Sequence, residues 1–141
     1  MIRDIARWIA VGGVFLLPFL PLIVSNSLFF PFITGKNFVF RIVVEIIFAA
    51  WVILALADSK YRIRFSYILA SFMAFLGVMA VANGFGESPH KSFWSNYERM
   101  DGYVTIFHLG LYLLVAGSIL HTERLWNAFW NTSIVVAIFM T

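Results

Sequence analysis

The sequence contains no cysteine and little charge. Without cysteine the chain can form neither a disulfide nor a thiolate metal site. Charged residues make up 12% of the 141 residues, whereas soluble domains carry roughly 25%. The basic residues form no extended tract, which argues against a nucleic-acid partner. His90, His108 and His121 lack the spacing of a metal site, so no metal or other cofactor is expected.

Long apolar runs take the place of the missing charge, and hydrophobic residues reach 62% of the chain. A membrane helix needs about 17–25 apolar residues. The sequence therefore predicts an all-α polytopic transmembrane helix bundle in one domain over 1–141. It has four full spans, a truncated fifth and an outer loop at 83–102. The spans are expected at about 5–24, 38–57, 65–82, 103–120 and 131–141.

The sequence ends in an apolar run. The run "SIVVAIFMT" is too short to cross a bilayer, and the last carbonyls of a chain ending there would lack partners in lipid. We therefore expect the sequence to be the N-terminal fragment of a longer polytopic protein, lodged in the bilayer through its spans.

The distribution of basic residues predicts an orientation. Arg3 and Arg7 precede the first span, and three basic residues face one acid in the 58–64 loop. Both segments lie on one side if spans one and two form a hairpin, and the positive-inside rule makes that side cytoplasmic. The 83–102 loop is net negative and falls on the outer side. Lys36 and Arg41 weaken the asymmetry without reversing it.

Arg41 and Glu45 stand four residues apart in the second span, so they share a helix face and could form an ion pair. Ionisable groups inside a span usually face the protein interior. One interpretation is a contact with an anionic substrate near the outer surface, and the other is a self-neutralised pair that orients the span. His108, one turn into span four, is expected to hydrogen-bond a neighbouring helix.

The outer loop holds the densest group of charge and aromatic rings. Ser88 and Pro89 are typical of a helix start, and Gly102 of a helix stop. At helical spacing, one side carries Phe93, Trp94, Tyr97 and Met100, and the other carries Lys91, Ser95, Glu98 and Arg99. This pattern predicts a short helix in the membrane interface, aromatic side down. Trp94 and Tyr97 are candidate substrate contacts or, alternatively, simple interface anchors.

Arg99 is the strongest candidate for a substrate contact in this loop. Its guanidinium offers a rigid fork of donors suited to phosphate oxygens. Lys91 and His90 are weaker candidates, since each is also typical of a solvated loop.

Two stretches resemble the O-antigen ligase and O-antigen polymerase family of bacterial membrane proteins. They are "FLLPFLPLIVSNSLFFPFITGKNFVFRIVVEI" at 16–47 and "SFWSNYERMDGYVTIFH" at 92–108. The second is similar to an Arg-x-x-Gly element, here Arg99 to Gly102, often preceded by "FWGNYE" in that family. Ser95 stands where glycine is usual, and this is a departure from the pattern.

The resemblance implies an inner-membrane glycosyltransferase. It would move a glycan from undecaprenyl pyrophosphate to a lipid A-core or glycan acceptor, without a nucleotide sugar or a metal. The family's catalytic histidine and main arginines lie in a late outer loop that this sequence does not contain. No residue here inherits a catalytic role, and the fragment alone is expected to be inactive. The expected substrate contacts are Arg99, Lys91, Arg41, Glu45, Tyr97 and Trp94.

Two other classes of protein remain open. A polytopic transporter would use the few polar residues within the spans, namely Arg41, Glu45 and His108, but no inverted repeat is visible. A non-catalytic membrane scaffold would not need the cluster of charge and aromatic rings in the outer loop.

Overall fold

The structure, a computed structural model, describes residues 1–23, 34–96 and 101–140. Every regular element in these ranges is a helix. Two 3₁₀ segments, Leu17–Leu22 and Ser59–Tyr61, follow the first and second α-helices. The α-helices are α1 (Ile2–Leu16), α2 (Thr34–Ala57), α3 (Tyr67–Gly84), α4 (Pro89–Trp94), α5 (Tyr103–Ile119) and α6 (Glu123–Met140).

Three segments are long and apolar enough to cross a membrane, namely Ile2–Leu22, Thr34–Ala57 and Tyr67–Gly84. They coincide with the first three predicted spans. The predicted fourth span corresponds to α5, which is apolar but has only 17 residues. The all-helical prediction is thus confirmed for the described part of the chain, together with three helices of membrane-spanning length.

The prolines of the first span change the type of helix. α1 ends at Leu16, and the chain continues as a 3₁₀ helix with Pro18 at its start and Pro21 inside it. A proline has no N–H to donate, and its ring clashes with the carbonyl one turn earlier in an α-helix. The tighter 3₁₀ winding continues the rod without that clash.

The core of the bundle lies between α1, α2 and α5. Val14, Ile47, Val115 and Ile119 are at most 1% exposed. Gly13 lets α1 and α2 approach closely, because a Cβ at this position would collide with the Ile47 side chain. Within the "VGGV" stretch at 11–14, Gly13 is therefore the residue that allows close packing of the two helices.

α3 packs on the outside of this core, against α5. Its one buried hydrophobic residue is Leu76, whose side chain fills the space left by Gly110. Tyr103 donates from its hydroxyl to the Leu76 carbonyl over 3.2 Å. Most of the rest of α3 is apolar and exposed, which is typical of a helix that meets lipid or further protein.

The predicted interfacial helix is shorter than expected. α4 begins at Pro89 after Ser88, as predicted, but it ends at Trp94. Gly102 does not end this helix and is instead the residue before α5. A Cβ on Gly102 would lie 2.7 Å from the Phe93 carbonyl carbon and from the Ser95 nitrogen. Glycine is needed there because the start of α5 abuts the end of α4.

The start of the last helix was also predicted wrongly. α6 begins at Glu123 and not near Asn131. All but the first two residues of the stretch "HTERLWNAFW" at 121–130 are therefore helical. Thr122 caps the helix, since its hydroxyl accepts a bond from the Leu125 N–H over 3.3 Å. The negative charge of Glu123, in the first turn of α6, interacts favourably with the positive end of the helix dipole. The polar residues of this stretch therefore start a helix and do not connect two helices.

The helices give the bundle two distinct ends. The basic end holds the start of α1, the 58–61 turn and the start of α6. Arg3, Arg7 and Lys60 meet there around one small cavity of about 170 Å³. The α4 end holds α4 and the starts of α2 and α5. The predicted hairpin of spans one and two is confirmed, because it brings the N-terminus to the 58–61 turn.

Candidate functional site

Four polar side chains bridge α2 and α5 in the half of the bundle nearer the α4 end. Arg41 donates from Nη2 to the Thr105 hydroxyl over 2.6 Å. One turn further, Glu45 Oε1 lies 3.2 Å from His108 Nε2. Residue numbers rise together in both contacts, so α2 and α5 run in the same direction. These four residues are called the polar ladder below.

Arg41 is held inside the bundle although it carries a charge. It is 7% exposed, and the negative charges of Glu45 and Asp101 both act favourably on its guanidinium. A charged side chain within an apolar helix is costly unless the protein supplies such partners. The ladder therefore fixes a positive charge near the start of α2.

The contact between Glu45 and His108 restricts where hydrogens can stand on the two side chains. His108 Nδ1 lies 2.7 Å from the Val104 carbonyl oxygen, which can only accept, so Nδ1 carries a hydrogen. Nε2 of a neutral ring is then an acceptor, and a carboxylate is an acceptor too. Their contact needs one further proton, either on the Glu45 carboxyl or on Nε2. In both forms the pair has no net charge.

The two members of this pair differ in exposure. The His108 side chain is 9% exposed and the Glu45 side chain 65%. Glu45 stands near the middle of the membrane-length helix α2, where an acidic group normally meets protein, water or a ligand and not lipid. This face of the bundle is where the ladder is open to a ligand or to further protein.

These contacts bear on one of the two earlier alternatives for Arg41 and Glu45, the self-neutralised pair, and the substrate contact stays a prediction. The two side chains do not form a salt bridge with each other among the described residues. Each is bonded to α5 instead, through Thr105 and through His108. The prediction that His108 hydrogen-bonds a neighbouring helix is confirmed.

A second feature, the α4 cavity, lies at the same end of the bundle. It has a volume of about 390 Å³. Its residues come from the end of α3, from α4 and from the start of α5. The cavity is lined by Ala80, Asn83, Gly84, Pro89, His90, Phe93, Trp94 and Tyr103.

The α4 cavity combines aromatic walls with a polar donor. The Phe93 ring centroid lies 5.1 Å from that of Trp94 and 5.9 Å from that of Tyr103. Asn83 Nδ2 is buried and has no hydrogen-bond partner within the described ranges. Tyr103 of the cavity and Thr105 of the ladder both belong to the first turn of α5, but side chains two residues apart on a helix point to different sides. Tyr103 bonds to α3 and Thr105 bonds to Arg41 of α2.

The remaining predicted site residues have mixed outcomes. Trp94 lines the α4 cavity, whereas Lys91 is exposed on α4 and is not part of the lining. His90, the weaker candidate, does line it. Arg99 and Tyr97 lie outside the described residues, so their predicted roles stay predictions.

Ser95 has a backbone conformation that favours glycine. It ends α4 with φ 66° and ψ −163°, the one non-glycine residue with positive φ in the described part of the chain. This region of backbone space is almost restricted to glycine. The position where the family usually has glycine is thus one where the backbone favours glycine.

Sequence reasoning missed three residues, namely Thr105, Asn83 and Phe93 as a cavity wall. Thr105 could have been found, because it lies three residues before His108 on the same helix face. Asn83 carried no local signal, since it sits at the end of an apolar span. In residues 1–23, 34–96 and 101–140 no three His, Asp or Glu side chains are grouped to hold a metal ion.

Comparisons of this chain with protein-family models, with curated proteins and with solved structures find no match.

Proposed function

We propose that this chain acts in an O-antigen ligase-like glycosyltransferase at the outer face of a bacterial cytoplasmic membrane. The reaction moves a glycan from undecaprenyl pyrophosphate to a lipid A-core or glycan acceptor. The proposal starts from the resemblance of residues 16–47 and 92–108 to that family. The chain contributes donor binding, and no catalytic residue is assigned to it.

The observation that carries the proposal is the buried positive charge of Arg41. A lipid-linked pyrophosphate presents two negative phosphates at the level where the lipid meets water. A guanidinium fixed at that level supplies charge-assisted hydrogen bonds to phosphate oxygens. The Thr105 contact holds Arg41 in place, so little ordering remains to be done when the donor binds.

The α4 cavity supports the glycan half of the proposal. Sugar rings present C–H faces to aromatic rings and hydroxyls to polar groups. Trp94 and Phe93 offer the first kind of surface, and the buried Asn83 amide and the His90 ring offer the second. The cavity lies at the same end of the bundle as Arg41, on another side of α5.

The orientation in the proposal places the N-terminus in the cytoplasm. The basic end gathers Arg3, Arg7, Lys60 and Arg124, and the positive-inside rule assigns such an end to the cytoplasmic side. The α4 end then faces outward, where the lipid-linked donor is used.

The proposal is tested by glycan transfer in cells that express the full-length protein. We expect Arg99→Ala to lower transfer in a lipopolysaccharide ladder while protein levels stay unchanged. Arg64→Ala, which removes an exposed arginine at the opposite end, is the matched control and should leave the ladder intact. Unchanged transfer with Arg99→Ala would contradict the proposal.

The Glu45–His108 contact between two helices supports a second candidate, a proton-coupled polytopic transporter. Acid–imidazole pairs within spans form proton relays in such proteins. This candidate predicts that liposomes containing the protein carry protons in the presence of a substrate, and that His108→Phe stops the flux. If the protein is a glycosyltransferase and not a transporter, neither the unsubstituted protein nor the His108→Phe variant should carry protons.

A further inference from the structure

A cavity at the basic end is unrelated to the polar ladder and the α4 cavity. It has a volume of about 480 Å³ and opens between the start of α1, the 58–61 turn and the α5–α6 turn. We call it the basic cavity. Its lining includes polar and aromatic side chains of Arg7, Trp8, Lys60, Tyr61 and Arg124 and the apolar side chains of Val11, Ile119 and Leu125.

Three cations from three separate elements line the basic cavity. Arg7 comes from α1, Lys60 from the 58–61 turn and Arg124 from α6. Within the described ranges, none of the three lies at salt-bridge distance from a carboxylate. Like charges that converge on one space repel each other, so the arrangement favours an anion between them.

Two acidic groups lie nearby but outside the basic cavity. Asp4 and Asp58 line the smaller neighbouring cavity, whose lining also includes Arg7 and Lys60, and Asp58 accepts a hydrogen bond from the Lys60 backbone N–H over 2.9 Å. Neither Asp58 nor Glu123 is part of the basic cavity lining. The net charge of this lining is therefore positive.

The walls of the basic cavity suit an amphiphile. Val11, Ile119 and Leu125 form an apolar wall on the side of the helix bundle. Trp8 is 75% exposed at the rim, as is typical of side chains at the level of lipid headgroups. Lys60 Nζ stands 5.9 Å from the centre of the Tyr61 ring, a cation–π contact that keeps the ammonium at the rim.

We propose that the basic cavity binds the phosphate of an anionic phospholipid headgroup, with an acyl chain against the apolar wall. Basic pockets between helices on the cytoplasmic side are suited to such lipids, because that leaflet carries the anionic headgroups. A free phosphate shares the headgroup chemistry but leaves the apolar wall unused. The inference does not depend on glycan transfer and stands or fails separately.

The test measures lipid retention by the purified full chain in detergent, using native mass spectrometry. Phosphatidylglycerol is compared with phosphatidylethanolamine of the same acyl chains, and glycerol phosphate provides the free-phosphate arm. We expect the chain to retain phosphatidylglycerol at least about fivefold more than phosphatidylethanolamine, a difference of about 1 kcal/mol. Glycerol phosphate should not be retained.

Two double variants with equal charge change separate a site from a charged surface. Arg7→Gln with Arg124→Gln should abolish the preference for phosphatidylglycerol. Arg3→Gln with Arg64→Gln, at the same end but outside the lining, should preserve it. Lys60→Gln provides a third, single variant that should weaken the preference, and circular dichroism confirms that each variant keeps its helices.

Three results would overturn the proposal. One is equal retention of the two lipids by the unsubstituted chain. Another is an equal loss of preference in both double variants, which would show only a charged surface. The last is retention of glycerol phosphate as strong as that of phosphatidylglycerol, which would indicate a site for free phosphate.

Discussion

Glu45 of α2 and His108 of α5 meet across a 3.2 Å contact between Oε1 and Nε2. The other ring nitrogen of His108 lies 2.7 Å from the Val104 carbonyl oxygen, which can only accept a hydrogen bond. Arg41 and Thr105 make the companion contact one turn away. Together they join two helices that are otherwise packed through apolar side chains.

The Glu45–His108 contact leads to a prediction for substitutions at Glu45. Glu45→Gln should be mild, because an amide N–H can donate to Nε2 just as a protonated carboxyl does. Glu45→Leu should destabilise the protein by about 1–3 kcal/mol, because the buried Nε2 loses its partner. Reversible unfolding of the detergent-solubilised protein in a denaturing detergent, followed by circular dichroism, measures both.

A double-mutant cycle with His108→Phe isolates the contact itself. We expect a coupling energy of about 0.5–1.5 kcal/mol between Glu45→Leu and His108→Phe. Additive effects of the two substitutions would show that the contact contributes nothing to the packing of α2 on α5.

Ser95 provides a second prediction, from its backbone conformation. Its φ of 66° is unfavourable for any side chain but not for glycine. Ser95→Gly should therefore stabilise the protein by about 1 kcal/mol. Ser95→Ala is the control, because alanine keeps the Cβ and should give no gain. Equal unfolding midpoints for the two variants would mean that the backbone at this position is not strained.

The neighbouring glycines of α1 provide a third prediction with an internal control. Gly13→Ala should destabilise the protein by about 1–3 kcal/mol, because the added methyl group meets the Ile47 side chain. Gly12→Ala should be neutral or stabilising, since a Cβ there meets nothing within 4 Å and alanine favours a helix. The same unfolding assay compares them, and equal losses from both variants would contradict the close contact of α1 with α2.

The long helices were predictable because an apolar run of about 17–25 residues is typical of a membrane-spanning helix. The starts of two helices were harder to place. In "HTERLWNAFW" a threonine cap and an acidic first turn resemble a polar connector in composition, so the start of α6 was missed. Gly102 was predicted to end a helix, whereas its lack of a Cβ serves the contact between α4 and α5.

Only the part of the candidate site that lies on one helix was predictable from the sequence. Arg41 and Glu45 stand out because a four-residue spacing is visible along one helix. Their partners Thr105 and His108 are 64 and 63 residues away, and only the packing of α2 on α5 brings them together. The same holds for the α4 cavity, whose walls come from three helices. A sequence shows which side chains are unusual for a membrane helix but not which of them meet.

The central claim is that the α4 end of this protein binds a lipid-linked pyrophosphate glycan. The most direct measurement is photo-crosslinking with undecaprenyl pyrophosphate that carries a benzophenone-labelled sugar, followed by mass spectrometry of the labelled peptides. We expect labelling within residues 83–108, and we expect an excess of the unlabelled undecaprenyl pyrophosphate glycan to abolish it by competition. Labelling confined to the 58–64 turn, or labelling that the unlabelled lipid does not reduce, would contradict it.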